Sequence, residues 1–288
     1  MMISDSESMP STQLPIGVFD SGVGGLTVVR ALRAQLPHED ILYLGDTARV
    51  PYGTRSPATV QKYAKRVAGH LLRKGIKALV VACNTATTYA LAELQMAAQS
   101  HGIPVVGVIA PGVAIALQKT RGHIGIIGTE GTIRGGAYEK QLIEKRADLQ
   151  VSSCACPLFV SLAEEGWTDG EIANAVALRY LQGLRNGPDT LILGCTHYPL
   201  LVDAIANALP GVQLVDSATS TAQAVAQNLT LNGLIRAEGE GKTRFLVTDN
   251  QQRFVDVGTR FLGHAPHPNE LVDLDDLDQA AWDTEVAS

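Results

Sequence analysis

The segments Ala78-Leu-Val-Val-Ala-Cys83-Asn-Thr85 and Thr190-Leu-Ile-Leu-Gly-Cys195-Thr-His197 are two apolar runs that end in the same way, with a cysteine followed by polar residues. A short apolar run with this ending predicts a buried strand of a parallel sheet. A helical pattern follows each run, over 86–99 and 200–209. We therefore expect each strand to place a thiol at its carboxyl end, near a helix N-terminus that stabilises a thiolate.

Apolar runs and helical patterns alternate along the whole chain, these two segments included. The predicted strands are 16–19, 41–44, 78–82 and 105–109 in the first half, and 123–127, one near 150, 190–193 and 212–215 in the second. Helical patterns lie between several of them, over 26–36, 58–73, 86–99, 135–145, 169–186 and 200–209. This alternation is typical of a doubly wound α/β fold with parallel sheets.

The spacing of matching landmarks predicts that the fold is duplicated. Ser21 and Cys83 are 62 residues apart, and Thr129 and Cys195 are 66 apart. We therefore expect two similar lobes related by a pseudo-twofold axis. Because ligands of open α/β sheets bind beyond the carboxyl ends of the strands, the active site should lie in the cleft between the lobes, with Cys83 opposite Cys195.

Composition shifts along the chain suggest where each part begins and ends. We expect a disordered leader at 1–15, a first lobe at 16–109 plus 217–265, a second lobe at 110–216, and an acidic, flexible tail at 266–288. The leader is rich in Ser, Thr and Pro, and the tail has no Lys or Arg but several Asp and Glu residues. Both compositions are typical of solvated, unpacked chain.

Charge and hydropathy exclude several classes of protein. A net charge of −6 with scattered basic residues argues against a nucleic-acid partner. The least polar stretch, 103–117, contains Pro104 and Pro111 and is shorter than the roughly 18–20 apolar residues of a membrane span. The four cysteines match no secreted disulfide framework, which favours the cytoplasm.

The glycine-rich turn Phe19-Asp-Ser-Gly-Val-Gly-Gly-Leu-Thr27 invites a dinucleotide interpretation, with Asp46 as the acid that binds ribose. The match is imperfect, because Thr27 stands where the motif needs its third glycine and Asp20 opposes a pyrophosphate. A free amino acid fits better, since backbone N–H groups and a serine can hold a carboxylate while an acid accepts from an ammonium or a thiol. Asp20 and Ser21 are therefore candidate site residues.

Four motifs resemble those of the glutamate racemase family, in the order in which that family has them. They are Asp-Ser-Gly-Val-Gly-Gly-Leu-Thr (20–27), Pro-Tyr-Gly (51–53), Ala-Cys-Asn-Thr (82–85) and Gly-Cys-Thr-His-Tyr-Pro-Leu-Leu (194–201). The resemblance implies an isomerase that interconverts L- and D-glutamate without pyridoxal phosphate, another cofactor or a metal. It also implies that the product is D-glutamate for peptidoglycan, made in the cytoplasm.

The resemblance also assigns roles. Cys83 is the base for the D enantiomer and Cys195 the base for the L enantiomer, with Asp20 assisting the first and His197 and Glu164 the second. Glu164 has an acidic neighbour, Glu165, so an ordinary acid at a helix end is an equal interpretation. The implied substrate-binding residues are Asp20, Ser21, Pro51, Tyr52, Gly53, Asn84, Thr85, Thr129, Thr132, Thr196 and His197.

Two other functions stay open. A racemase of aspartate or a related acid would use the same two thiols. A non-catalytic regulatory protein is the third hypothesis, because some members of the family bind DNA gyrase. The sequence also leaves the oligomeric state open, a homodimer included. Cys154-Ala-Cys156 has no further metal ligands near it in the sequence, so we expect no metal site.

Overall fold

The computed structural model describes residues 11–278 and contains two parallel β-sheets flanked by helices. The strands are β1 (Ile16–Asp20), β2 (Ile41–Gly45), β3 (Ala78–Val81), β4 (Val105–Gly107), β5 (His123–Gly128), β6 (Gln150–Ala155), β7 (Thr190–Gly194), β8 (Gln213–Asp216), β9 (Thr243–Val247) and β10 (Pro268–Leu271). The helices are α1 (Leu26–Gln35), α2 (Pro57–Arg73), α3 (Asn84–Gln99), α4 (Ile109–Lys119), α5 (Glu130–Gly135), α6 (Ala137–Lys145), α7 (Leu158–Glu165), α8 (Gly170–Leu181), α9 (Val202–Ala208), α10 (Ser217–Leu231), α11 (Gln251–Leu262) and α12 (Leu274–Asp278).

The two sheets have the same strand order. The first reads β10-β9-β2-β1-β3-β4 and the second β6-β5-β7-β8, so the first four strands of each half are arranged identically. All pairings are parallel, as in Phe19 opposite Leu44 and Val81, and Ile127 opposite Leu193. The predicted α/β class with two similar doubly wound halves is confirmed.

Strand order also determines where a site can form. In each sheet the first strand lies between the second and the third, and the chain leaves it in opposite directions on the two sides. This switch point opens a crevice beyond the carboxyl ends of the strands. Ser21 and Cys83 follow β1 and β3 there in the first sheet, and Thr129 and Cys195 follow β5 and β7 in the second.

The second sheet is formed by strands that are consecutive in the chain. Strands β5 to β8 all lie within 110–216, and the other six strands lie outside that range. The lobes are nevertheless not separate in their packing. One cluster of buried apolar residues includes Val18 and Val80 from the first sheet and Ile126 and Leu191 from the second. Helix α10 packs against both α1 and α4 within this cluster.

The prediction of a disordered leader at 1–15 is wrong for residues 11–15. These residues include a short 3-10 turn at Ser11–Gln13, and the ammonium of Lys77 donates to the carbonyl of Thr12 at 2.7 Å. Residues 1–10 lie outside the described part of the chain.

The prediction of a flexible tail at 266–288 is wrong for residues 268–278. Strand β10 extends the first sheet by pairing with β9, and α12 packs against α2. Val272 and Leu277 are buried, while Lys74 forms an ion pair with Glu270 at 2.6 Å. The acidic residues around Val272 and Leu277 point to solvent, and their number made the whole segment look like solvated, unpacked chain. Residues 279–288 lie outside the described residues.

Several helices differ from the sequence prediction. The helix expected over 135–145 begins at Ala137, and a separate helix, α5, precedes it, because Gly136 between the two adopts a left-handed conformation with φ 63°. Helix α4 was not predicted, since Pro111 and Gly112 suggest a loop. Pro111 is tolerated because it lies in the first helical turn, where N–H groups have no partner within the helix. Within residues 11–278, no helix combines the length and the apolarity needed to cross a bilayer.

We expect Leu277→Ala to lower the free energy of unfolding by about 2 kcal/mol, because it opens a cavity under the C-terminal segment. The matched control is Leu271→Ala, which truncates a leucine that is 58% exposed and should change stability by less than about 0.5 kcal/mol. Urea denaturation of both full-length variants measures the difference. Equal, small effects would mean that the C-terminal segment is not part of the folded core.

Candidate active site

A small cavity of about 30 Å³ lies where the carboxyl ends of the two sheets face each other. Both candidate thiols reach it, from opposite sheets, and each cysteine is nearly buried. The residues that line the cavity are Ser21, Val50, Pro51, Tyr52, Gly53, Cys83, Asn84, Thr85, Thr129, Val160, Cys195, Thr196 and His197. The structure therefore brings together residues that are more than a hundred positions apart in the sequence.

Three predicted site residues lie behind the cavity wall. Asp20, Thr132 and Glu164 do not line the cavity, but each contacts or closely approaches a residue that does. Two lining residues, Val50 and Val160, were not predicted, because a lone valine in a sequence gives no signal of a site. Their apolar side chains help to exclude water from the two sulfurs.

Cys83 lies at the start of α3 and caps it. The sulfur accepts the backbone N–H of Ala86 at 3.4 Å, and it lies 3.7 Å from the hydroxyl oxygen of Ser21. Burial, helped by the nearby carboxylate of Asp20, raises the pKa of the Cys83 thiol to about 12 despite the helix N-terminus. At neutral pH Cys83 is therefore a protonated thiol, which suits it to act as an acid.

Asp20 is fully buried at the end of β1. One carboxylate oxygen accepts the N–H of Gly22 at 2.9 Å, and the other has no hydrogen-bond partner among the described residues. Burial raises the pKa of Asp20, although the charge of His197 opposes that shift. A buried acceptor without a partner is costly, and it is what a donor such as a substrate ammonium would satisfy.

The glycine-rich turn allows the two halves of the molecule to approach closely. A Cβ added at Gly24 would lie 2.2 Å from the hydroxyl oxygen of Thr196, and one at Gly25 would lie 2.5 Å from the Cβ of Asp20. A side chain at either position would collide with these atoms, so both glycines are required for close packing. The N–H of Gly22, in the same turn, donates to Asp20. The turn therefore packs both against Asp20 and against the loop that carries Cys195.

Cys195 has a different environment from that of Cys83. It does not cap a helix, because a 3-10 turn at Tyr198–Leu201 precedes α9, so the prediction of an adjacent helix N-terminus is wrong here. His197 replaces that N-terminus. Its Nδ1 lies 3.8 Å from the Cys195 sulfur, and its Nε2 lies 3.1 Å from a carboxylate oxygen of Glu164.

Two opposing effects set the protonation of His197. Burial lowers its pKa, but the hydrogen bonds and charges of Cys195 and Glu164 outweigh burial and raise the pKa to about 10. At neutral pH the ring is therefore an imidazolium that donates to Glu164 and faces the Cys195 sulfur. A thiolate at Cys195 is stabilised by this arrangement.

Glu164 lies at the end of α7, as one of the two sequence interpretations had it, but it is not an ordinary helix-end acid. Burial raises its pKa, whereas hydrogen bonds from His197 and Arg253 lower it further than burial raises it. Arg253, on α11, donates to Glu164 at 3.0 Å. Arg253 was missed at the sequence level because it lies 89 residues away in a helix without any recognisable motif.

The remaining walls offer hydrogen-bond donors. The Tyr138 hydroxyl donates to Oδ1 of Asn84 at 2.7 Å, which leaves the buried Nδ2 of Asn84 without a partner among the described residues. The hydroxyls of Thr85, Thr129 and Thr132 lie 2.9 to 3.1 Å from one another. Such donors suit a carboxylate, since they neutralise its charge where water is excluded.

The loop at 51–53 is anchored by Asp46, which the sequence suggested as an acid for ribose. Asp46 is instead fully buried and accepts from Arg49 at 2.8 Å, from Thr248 at 3.0 Å and from the Tyr52 hydroxyl. These contacts fix Tyr52 and Gly53 against the second sheet. A Cβ at Gly53 would lie 2.6 Å from that of Thr129, which explains the glycine.

The arrangement is suited to moving a proton on and off a carbon atom. A neutral thiol and a sulfur beside an imidazolium face one space, which is an arrangement suited to acid–base chemistry at a carbon atom between them. Cys154 and Cys156, whose sulfurs are 3.9 Å apart, lie elsewhere. In the described part of the chain, no three His, Cys, Asp or Glu side chains group as metal ligands.

The model of the Asp/Glu/hydantoin racemase family matches residues 26–225. The glutamate racemase of Geobacter metallireducens is 54% identical over 252 residues, covering 86% of this chain and 92% of its own. The crystal structure of the Francisella tularensis glutamate racemase with D-glutamate has a TM-score of 0.87 at 40% identity, covering 92% of this chain and 99% of its own. That of the Thermus thermophilus enzyme with β-chloro-D-alanine has a TM-score of 0.83 at 47% identity, with coverage of 92% and 99%.

We expect the two thiols to react at different rates with iodoacetamide near pH 8. Cys195 should be alkylated at least about tenfold faster than Cys83, because alkylation needs a thiolate and burial keeps the Cys83 thiol protonated. Peptide mass spectrometry follows both sites in one sample, and Cys195→Ser identifies the fast site. Equal rates, or a faster Cys83, would contradict the two environments described above.

The pKa of His197 predicts how stability depends on pH. The folded value of about 10 lies above the unfolded value of about 6.5, so protonation favours the fold. This contribution is fully present below about pH 6.5 and is lost as the pH rises through 10. Denaturant titrations of the wild type and of His197→Gln should therefore differ by on the order of 2 kcal/mol at pH 6 and converge toward pH 10. The control is His264→Gln, at an exposed position, whose difference from the wild type should not vary in this range.

Proposed function

The chain belongs to the Asp/Glu/hydantoin racemase family, and we propose that it interconverts L- and D-glutamate by proton transfer at Cα between Cys83 and Cys195. One observation supports this function above the others. Two buried thiols from equivalent strands line one cavity, and their neighbours make one an acid and the other a base.

Glutamate is the substrate supported by the relatives. The Geobacter metallireducens protein is a glutamate racemase at 54% identity, and the Francisella tularensis enzyme was crystallised with D-glutamate. A structure of the Escherichia coli enzyme, 28% identical, contains L-glutamate. The donors at Asn84 and the threonine hydroxyls provide places for the two carboxylates of such a ligand.

Inversion at Cα needs a base on one face of the carbon and an acid on the other. For L-glutamate, the Cys195 thiolate removes the α-proton, and the Cys83 thiol delivers a proton to the opposite face. The reverse reaction starts with the roles exchanged. Because the enantiomers have equal free energies, kcat/KM must be the same in both directions.

The α-proton of an amino acid is weakly acidic, so the carbanion that forms must be stabilised. Fixed donors around the α-carboxylate do this best in a cavity without bulk water. We assign this role to Nδ2 of Asn84 and the hydroxyls of Ser21 and Thr85, which belong to residues that line the cavity. Asp20 lies behind the cavity wall with one oxygen unpartnered, and we propose that this oxygen accepts from the ammonium once the cavity has widened. The ammonium must keep its proton during the reaction.

The cavity has to widen before this reaction can begin. Its volume of about 30 Å³ accommodates a few water molecules at most, whereas glutamate has ten heavy atoms. Since the walls come from both sheets, entry requires the two lobes, 16–109 plus 217–265 and 110–216, to separate at the cleft. Closure over the substrate then excludes water from the sulfurs.

We also propose that the protein works in the cytoplasm and that its product, D-glutamate, is used for peptidoglycan. A homodimer stays a prediction. Site assignments stay proposals as well, with Pro51, Tyr52, Gly53, Thr129, Thr132 and Thr196 as substrate-holding residues around the five catalytic candidates.

We expect the purified protein to racemise L-glutamate without added cofactor, and to introduce deuterium at Cα when the solvent is D2O. Cys83→Ala and Cys195→Ala should each lower kcat by about 10²–10⁴-fold, because each removes one acid–base group. Cys154→Ala, a thiol outside the cavity, is the matched control and should stay near wild type. Chiral chromatography with L-glutamate and L-aspartate in parallel measures both rate and substrate. Activity near wild type in either cavity variant would refute the two-base assignment, and preference for aspartate would refute the substrate.

A further inference from the structure

Helix α11 makes three contacts with the Cys195 side of the site, although it lies outside the 26–225 segment that matches the family model. Arg253 donates to the carboxylate of Glu164 at 3.0 Å, and Arg260 donates to the backbone carbonyl of the same residue. The ring of Phe261 packs edge-on against that of His197, with centroids 5.2 Å apart. The helix belongs to the first sheet's half, while Glu164 and His197 belong to the second's.

We propose that Arg253 is a positioning residue for proton transfer at Cys195: it holds the Glu164 carboxylate so that Glu164, in turn, holds His197 against the sulfur. This inference depends on the proposed function, because it assigns Arg253 a part in the same reaction. It also means that the Cys195 side is complete only when the two lobes are together.

The geometry of the carboxylate supports this role. Its two oxygens have different partners: Oε2 accepts from Arg253 at 3.0 Å, and Oε1 lies 3.1 Å from Nε2 of His197. A carboxylate held at both oxygens cannot rotate about its last bond. The imidazole is fixed by the same contact, with its other nitrogen 3.8 Å from the Cys195 sulfur.

Glu164 would have room to move if Arg253 were removed. A cavity of about 160 Å³ lies beside the pair and is lined by both of them, together with Asp249 and Phe254. The Glu164 side chain is already 17% exposed. Without the guanidinium, hydration would draw the carboxylate into this space and away from His197.

The acidic groups near Glu164 would also favour movement of its carboxylate away from them when Arg253 is absent. Arg253 also lies 3.6 Å from the carboxylate of Glu165, the next residue on α7, and Asp249 is in the cavity wall. His197 faces Glu164 from the loop after β7, and Arg260 faces its backbone from α11. Removal of Arg253 leaves Glu164 beside two acids, with only His197 as a cationic partner of its carboxylate among these groups.

An ordinary surface ion pair is the competing interpretation. Arg253 is 53% exposed, and exposed pairs contribute little to folding stability. The two interpretations predict different things about the thiols. If Arg253 formed only a surface ion pair, its removal would change the reactivity of neither sulfur. If its removal loosened the whole site, the reactivity of both sulfurs would change. A positioning residue affects Cys195 and leaves Cys83 unchanged, because Cys83 has no contact with Glu164 or His197 among its hydrogen bonds.

The test measures iodoacetamide alkylation of Cys195 and Cys83 in the same sample, without substrate, across pH 6–9. We expect Arg253→Met to slow Cys195 alkylation about 5–10-fold near neutral pH, a size typical of directly coupled side chains, with Cys83 unchanged. Arg253→Lys should restore part of the rate. Arg179→Met, which removes an exposed arginine from α8, is the matched control and should have no effect.

A double variant identifies the route of the effect. Glu164→Gln should slow Cys195 at least as much as Arg253→Met, and the double variant should be no slower than Glu164→Gln alone, since Arg253 acts only through Glu164. Additive effects, equal slowing of both cysteines, or an unchanged Cys195 would each overturn the inference. Alkylation needs no turnover, so failure of the proposed function, seen as absence of racemisation in the wild type, is a separate result.

Discussion

The chemistry of the candidate site depends on the burial of two cysteine sulfurs in one cavity, which, at about 30 Å³, is too small for bulk water. Burial alone keeps a thiol protonated at neutral pH, as the pKa of about 12 at Cys83 indicates. The second sulfur differs because an imidazolium faces it, and that imidazolium needs Glu164. Two chemically identical side chains thus have different electrostatic environments because of their neighbours.

Much of this could be predicted from the sequence. The endings at Cys83 and Cys195 and the near-equal spacing of landmarks predicted two parallel sheets with matching strand order and a shared site, since strand periodicity and strand ends are local signals. Ser21, Asn84 and Thr196, which line the cavity, are polar residues next to strand ends, whereas Pro51, Tyr52 and Gly53 were implied by the resemblance to the glutamate racemases. Asp20, Thr132 and Glu164 lie one layer behind the wall, a distinction that no local pattern contains.

What the sequence could not provide were contacts between distant segments. Arg253 meets Glu164 only because α11 folds back across the cleft, and Tyr138 meets Asn84 only because the two lobes are in contact. The C-terminal strand was hidden for a different reason. Its apolar residues are too few to outweigh the acidic ones in the composition, yet the strand pairs with β9, and Val272 and Leu277 after it are buried.

The apolar cluster that passes through both halves has a consequence for their independence. The halves share one strand order, but residues such as Val18 and Ile126 lie in one continuous interior. A half that was excised would expose the surface that its counterpart covers, and it would lose stability and solubility together. The two halves are therefore alike in topology but depend on each other to stay folded.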